Sequence, residues 1–419
     1  MAANAYEAVE QAARQSYGRL LAFLSARSRD IAAAEDALAD AFSAALVNWP
    51  SSGVPANPEA WLLTAARRKL VDAARRRQVR EQSMPALLLA AEEAEARMTS
   101  PSGLGDERLK LLFTCAHPAI DAAIRTPLML QTVLGLDAGR IASAFCVSPA
   151  AMARRLTRAK TRIRDAGIPF EPPEADEIAP RLDAVLEAIY AAYGSGWDDV
   201  AGGSASLRGL AGEAIYLGRL MTALLPDEPE ARGLLALMLH CEARRAARRE
   251  TGGAYVPLAE QDTTLWSREL AQEAEQQLAK AALADRVGRF QLEAAIQSVH
   301  AQRAVTGHTD WEAVALLYEG LVRLAPTIGG LVGRAAAVAE ARDAQAGLAL
   351  LRDLPEASVT TYQPYWALAA HLFARLGRRV EAGHAYERAI GLCDDPAMRT
   401  FLIGQAEMIA ASKPSNTVH

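Results

Sequence analysis

The sequence predicts an all-α protein. Alanine is abundant, and aromatic residues make up only 6% of the 419 positions. Runs of β-branched residues are scarce, and apolar residues recur every three or four positions along most of the chain. The composition favours helix over strand, and the spacing is that of helices buried on one face. With 51% hydrophobic and 23% charged residues, the chain is too apolar to be wholly disordered. Its length suits two or three domains.

Residues 5–48 read as two helices. Tyr17, Leu20, Leu21 and Leu24 form the apolar stripe of one, and Ala34, Leu38, Ala41, Phe42 and Ala45 that of the next. The segment from Trp49 through Pro50, Gly53 and Pro55 to Pro58 is expected to break the helix. It leaves Trp49 a candidate for stacking on a base. A helix over 58–80 follows, with Pro58 in its first turn and Trp61, Leu62, Ala65, Leu70 and Ala73 on its apolar face, so that Trp61 reads as core. Residues 81–105, with Met84-Pro85 and Ser100-Pro101-Ser102-Gly103, read as a partly helical linker. Residues 106–166 hold short helices broken at Pro118, near Gly135 and at Val147-Ser148-Pro149, and Pro172-Pro173 mark a second boundary. From 178 to 411 the pattern is almost continuously helical. Breaks fall near Gly194–Gly203, Pro226–Pro229, Gly252-Gly253, Gly307, Pro326, Pro355 and Asp394–Pro396.

Charge divides the chain. Residues 1–170 carry 22 Lys+Arg against 17 Asp+Glu, whereas residues 171–419 carry 23 against 33. The formal net charge of −5 therefore hides a basic N-terminal part. Its cations cluster at Arg67, Arg68, Lys69, Arg75, Arg76, Arg77 and Arg80, and again at Arg154, Arg155, Arg158, Lys160, Arg162 and Arg164. Two such clusters make a footprint for a polyanion. The second follows a helix-turn-helix pattern: a helix over 138–145, a turn at 146–148, and a second helix with Ser148 as N-cap and Pro149 at its first position. A recognition helix meets base edges with its N-terminal residues and phosphates further along. That geometry places Ser148, Ala151, Met152 and Arg155 near bases, with Met152 also on the stripe shared with Leu156, Ala159 and Ile163. The later Arg158 and Lys160 fall nearer the phosphates.

The run Ala34-Glu35-Asp36-Ala37-Leu38-Ala39-Asp40-Ala41-Phe42 resembles the core-polymerase-binding signature of extracytoplasmic-function (group IV) bacterial sigma factors. Ala60-Trp61-Leu62, Ala65-Ala66-Arg67 and Asp72 with Arg75-Arg76 are similar to that family's helix for the −10 element, and Met152–Lys160 to its −35-reading helix. The resemblance implies region 2 at 5–80, a linker at 81–105 and region 4 at 106–170. It implies Glu35, Asp36, Asp40 and Phe42 for core RNA polymerase and Arg67, Arg68, Lys69, Arg75 and Arg76 for the −10 element. Ser148, Ala151, Met152, Arg154, Arg155, Arg158 and Lys160 would serve the −35 element. Asp40 stands where that family usually has Glu, Ala39 replaces its Gln, and Ala153 replaces a common Lys.

Asn57–Leu62, Phe113–Ala119, Ala166–Phe170 and Leu224–Glu230 resemble the subgroup that carries a long helical extension. In that extension Trp366, Phe373, Ala382, Tyr386 and Ala389, with Gly377 at the turn, resemble a tetratricopeptide repeat. Stacked repeats of this kind bind protein partners or dock on the same chain. The implied function is a sigma factor whose 178–411 extension modulates it. The rival is a helix-turn-helix regulator with a repeat domain that does not engage polymerase.

No nucleotide-binding, metalloprotease or hydrolase motif is present, so no enzyme activity and no cofactor or metal is expected. Cys115-Ala116-His117 reads as a packed turn. The four cysteines lie far apart and read as reduced thiols. There is neither a secretion-signal pattern nor a membrane-spanning run, and a cytoplasmic protein is expected.

Overall fold

A cap explains how the second and third helices begin. In the computed structural model, which describes residues 2–78, 107–145, 147–171, 175–197 and 205–411, helix α1 (Ala2–Ser28) hands over to α2 (Ile31–Ser52) at Asp30. The Asp30 carboxylate accepts the Ala33 N–H at 3.1 Å, closing one of the donors a helix start leaves open. Helix α3 (Pro58–Gln78) starts the same way: Asn57 accepts the Ala60 N–H at 3.0 Å. The break after α2 comes later than the sequence predicts. The helix runs through Pro50 to Ser52 and stops at Gly53, whose φ of 86° needs glycine. Ser51 and Ser52 hydroxyls donate to the Asn48 carbonyl, supporting the last turn.

These helices enclose a core of Leu20, Leu21, Leu24, Leu38, Trp49, Leu62 and Leu63. Trp49 is 1% exposed and meets Trp61 edge-on at 5.5 Å. It is a core residue and offers no stacking face, because continuation of α2 turns it inward. Trp61 packs on the same core.

Helices α4 (Arg108–Cys115), α5 (Ala122–Thr132), α6 (Ala138–Ala144) and α7 (Pro149–Asp165) follow. Ser148 caps α7 by accepting the Ala151 N–H at 3.3 Å. Met152, Leu156, Ala159 and Ile163 are buried along it. Helix α8 (Ala175–Trp197) buries Leu182, Val185, Leu186, Ile189 and Tyr193. It packs on α4 and α5. Helix α9 (Ala205–Leu224) sends Glu213 to Arg108 of α4 in an ion pair, with Tyr216 against the same guanidinium. The first compact unit thus takes in α1 to α8 and α9 as far as Leu217.

The second unit holds the residues from Gly218 onward. Helix α10 (Pro229–Ala243) is buried over most of its length, and three short 3-10 turns lead to α11 (Arg268–Ala282). Then come α12 (Arg289–Thr306), α13 (Trp311–Leu324), α14 (Ile328–Ala341), α15 (Ala344–Arg352), the single turn α16 (Glu356–Val359), α17 (Gln363–Arg375), α18 (Arg379–Gly391) and α19 (Pro396–Ala411). Successive helices pack on one another: α13 on α14, α14 on α15, α17 on α18, α18 on α19. Ser267, Asp310, Thr327 and Asp343 cap the starts of α11, α13, α14 and α15. Gly307 and Gly377 take positive φ at helix ends. Ala382, Tyr386 and Ala389 are buried, and Trp366 and Phe373 pack on the same cluster.

The described residues contain no strand, only one isolated bridge between Arg249 and Tyr255. None of their helices is long and apolar enough to cross a membrane. The linker expected at 81–105 lies outside the described residues, as does Cys146 of the 146–148 turn.

Candidate functional site

Helix α2 turns one apolar stripe inward, with Ile31, Ala34, Ala37, Leu38, Ala41, Ala45 and Trp49 buried, and carries acidic residues on its outer face. Of the four residues singled out there, Asp36 and Asp40 are exposed, and Phe42 lies against the edge of the core. Asp40 meets Lys69 of α3 at 3.3 Å. With both groups more than half exposed, that pair adds little to stability. Glu35 is different. Its Oε2 lies 2.5 Å from the Nζ of Lys160 in α7, and its side chain is only 19% exposed. Burial pushes the Glu35 carboxyl above the usual carboxylate range, and Lys160 opposes that shift.

The same face holds two residues that motif reading passes over. Leu46 is 41% and Val47 76% exposed. With Asp36, Asp40 and Ser43 they make an outward stripe at helical spacing. The signal was present in the sequence, since neither residue falls in register with the buried stripe.

Arg68 and Lys69 of α3 are exposed and Arg67 half-buried. Arg75 and Arg76 lie on the last turns of the helix, their side chains outside the described set.

Helix α7 presents Arg154, Arg155, Arg158 and Arg162 to solvent, with Ser148 exposed and Ala151 half-buried at its start. No acidic side chain of its own interrupts that row before Asp165, which pairs with Arg164 at 2.9 Å. Two residues of the expected DNA-reading set are turned away. Met152 is 1% exposed and Lys160 8%. The first occupies the core stripe of α7. The second is drawn inward by Glu35. Arg154, Arg155, Arg158 and Arg162 make a cationic row suited to a polyanion.

Cys115 is fully buried and 3.5 Å from the Thr132 hydroxyl, and burial pushes its thiol up to about 12. His117 accepts the Ala119 N–H through Nδ1 at 3.1 Å. These two hold a turn and leave no reactive thiolate. Among the described residues no group of three His, Cys, Asp or Glu is placed to hold a metal ion.

Comparison with known proteins fits onto this geometry. Residues 13–80 match the family described as sigma-70 region 2. Residues 181–282 match a family of unknown function, DUF6596. An uncharacterised protein of Rhizobium meliloti (strain 1021) is 39% identical over 409 residues, covering 96% of this chain and 95% of that protein. No solved structure matches the chain.

Proposed function

The chain belongs to the family of this Rhizobium meliloti protein and carries a sigma-70 region 2, and from that premise we propose that it is a sigma factor of the extracytoplasmic-function type. It binds core RNA polymerase, directs it to promoters, and is modulated by its own C-terminal helices. The observation that carries this reading is the region 2 match over residues 13–80, whose described part falls on α1 to α3. Region 2 is the domain through which sigma factors hold core polymerase and promoter DNA.

On this reading the outer stripe of α2, with Asp36, Asp40, Leu46 and Val47, is the polymerase face. Mixed acidic and apolar groups on one ridge suit a partner with basic and apolar surface. Arg67, Arg68, Lys69, Arg75 and Arg76 of α3 serve the phosphates of the −10 element. Helices α6 and α7 form the helix-turn-helix of region 4. The N-terminus of α7, with Ser148, Ala151 and Arg155, faces base edges of the −35 element, and Arg154, Arg158 and Arg162 face its phosphates. The protein performs no bond chemistry, needs no cofactor, and works in the cytoplasm, where polymerase is. The helices of the second unit are tetratricopeptide-like repeats that receive a protein partner or dock on the chain itself.

The test is transcription in vitro with bacterial core polymerase, the full chain and DNA from upstream of its own gene, alongside a pull-down on core polymerase. Specific initiation establishes the reading. If the chain binds DNA but never polymerase, it is instead a DNA-binding regulator. Comparing the full chain with one ending at Leu217 gives the sign of the C-terminal effect.

A further inference from the structure

We propose that Glu35 and Lys160 form an internal latch, which holds the polymerase face of α2 against the −35 helix α7 until a partner parts them. The proposal rests on the sigma-factor reading and concerns the regulation of the same site.

The two residues lie 125 positions apart in sequence, yet their charged atoms meet at 2.5 Å, with the Lys160 side chain 8% and the Glu35 side chain 19% exposed. A buried ion pair is a poor source of stability, because removing both charges from water offsets most of their attraction. Its stronger use is to select one arrangement over another. The pair here is also incompletely served: Glu35 Oε1 is buried without a hydrogen-bond partner. In the closed arrangement that oxygen lacks a donor, and opening returns it to water or to a polymerase group.

The neighbouring contacts are of the same kind. Asp30, the cap of α2, lies 3.9 Å from Arg164 of α7. Helix α1 approaches the end of α5 so closely that a Cβ on Gly18 would sit 1.8 Å from the Val133 carbonyl oxygen. Gly135, with a φ of 69°, lies under the Tyr17 ring. Beside the packing of α1 on α4, the first three helices and α4 to α7 are therefore joined by a charge pair and a glycine-tight approach. Each is sensitive to a single residue.

The consequence for function is direct. Glu35 cannot serve polymerase, nor Lys160 a phosphate, while each holds the other. Asp36 and Asp40 on α2, and Arg154, Arg155 and Arg158 on α7, remain exposed. Partners thus have a surface on which to land before the latch gives way.

The experiment uses the full chain and two chemically independent openings. Lys160→Glu sets two carboxylates against each other. Gly18→Ala drives a methyl into the Val133 carbonyl and leaves every charge in place. The combined swap Glu35→Lys with Lys160→Glu restores an attractive pair. Hydrogen exchange of the α2 and α7 peptides is read by mass spectrometry, affinity for core polymerase by fluorescence anisotropy, and helix content by circular dichroism. A latch is expected to give faster exchange in both peptides, by at least about tenfold, for each opening variant. Affinity for polymerase should tighten by a similar factor, and the swap should return exchange to the wild-type rate. Folded opening variants with unchanged exchange and affinity would overturn the latch while the wild-type chain still bound polymerase. A wild-type chain and opened variants that all failed to bind polymerase would overturn the sigma reading instead.

Discussion

Met152 and Arg155 stand three positions apart on α7 and play opposite parts. Met152 is buried, so Met152→Ala is expected to cost about 2–4 kcal/mol in urea unfolding, the range for deleting a core side chain. It should change DNA affinity only through that loss. Arg155 and Arg158 are exposed. Replacing either by Ala should leave the unfolding midpoint within about 0.5 kcal/mol. DNA binding should weaken, and a phosphate-contacting arginine should lower the salt slope by about one unit. Titration of promoter DNA at several salt concentrations checks both. Lys160 shows where a residue's role was hidden. It lies four positions after Leu156, at the border of the apolar stripe, and reads as one more cation in a basic run. Only Glu35, from a distant helix, draws it inside.

Two histidines of the second unit give a pH dependence at the same scale. Burial holds the imidazoles of His240 and His300 down to about 4, with Arg244 adding to the effect at both and Arg303 at His300. Glu275 lies 3.4 Å from His240 Nε2, and Trp311 packs edge-on to His300. Unfolding returns each ring to its ordinary value near 6.5. Between those limits the unfolded chain takes up protons that the folded chain refuses. Stability is thus full above about pH 6.5 and is lost as pH falls toward 4, by on the order of 3 kcal/mol per imidazole. Urea midpoints from pH 7.5 to 4.5 should show the decline, and His240→Leu should reduce its steepness.

Helix α7 is the element on which the functional reading turns, and its start was legible from sequence alone. A serine before a proline before an Ala/Arg run is a local signal, and Ser148 does cap the helix. Ser148→Ala is expected to cost about 1 kcal/mol, by the loss of one capping hydrogen bond. It should weaken DNA binding further if the α7 N-terminus faces the duplex. Thermal unfolding and DNA titration of the same variant separate the two effects. Helix α2 was read less well. Proline suggested a stop at 49–50, but a proline in a last turn removes only one backbone donor. Packing of Trp49 on Trp61 carries the helix on to Ser52.

For the molecule as a whole, the extent of the first compact unit matters most for experiments. Pro172-Pro173 mark a break in the pattern, yet α8 and the start of α9 belong with α1 to α7. A chain ending at residue 170 removes Leu182, Val185, Leu186, Ile189 and Tyr193 from the packing on α4 and α5, and leaves Arg108, 7% exposed in the full unit, without Glu213. Exposed apolar surface destabilises, and so does taking an ion-pair partner from a buried guanidinium. The shorter chain is expected to melt at lower temperature than one ending at Leu217 and to self-associate. Scanning calorimetry and size-exclusion chromatography of the pair decide it.

By itself the sequence determined the helical class, the cap of α7, most of the breaks, the basic row of α7 and the acidic face of α2. These are written in propensity, period and capping, all of which act within a few residues. The tertiary structure alone decided that Trp49 is core, that Glu35 and Lys160 hold each other across 125 positions, and that the first unit reaches to Leu217. Burial and ion pairing depend on which surfaces meet, and no local pattern of residues specifies that.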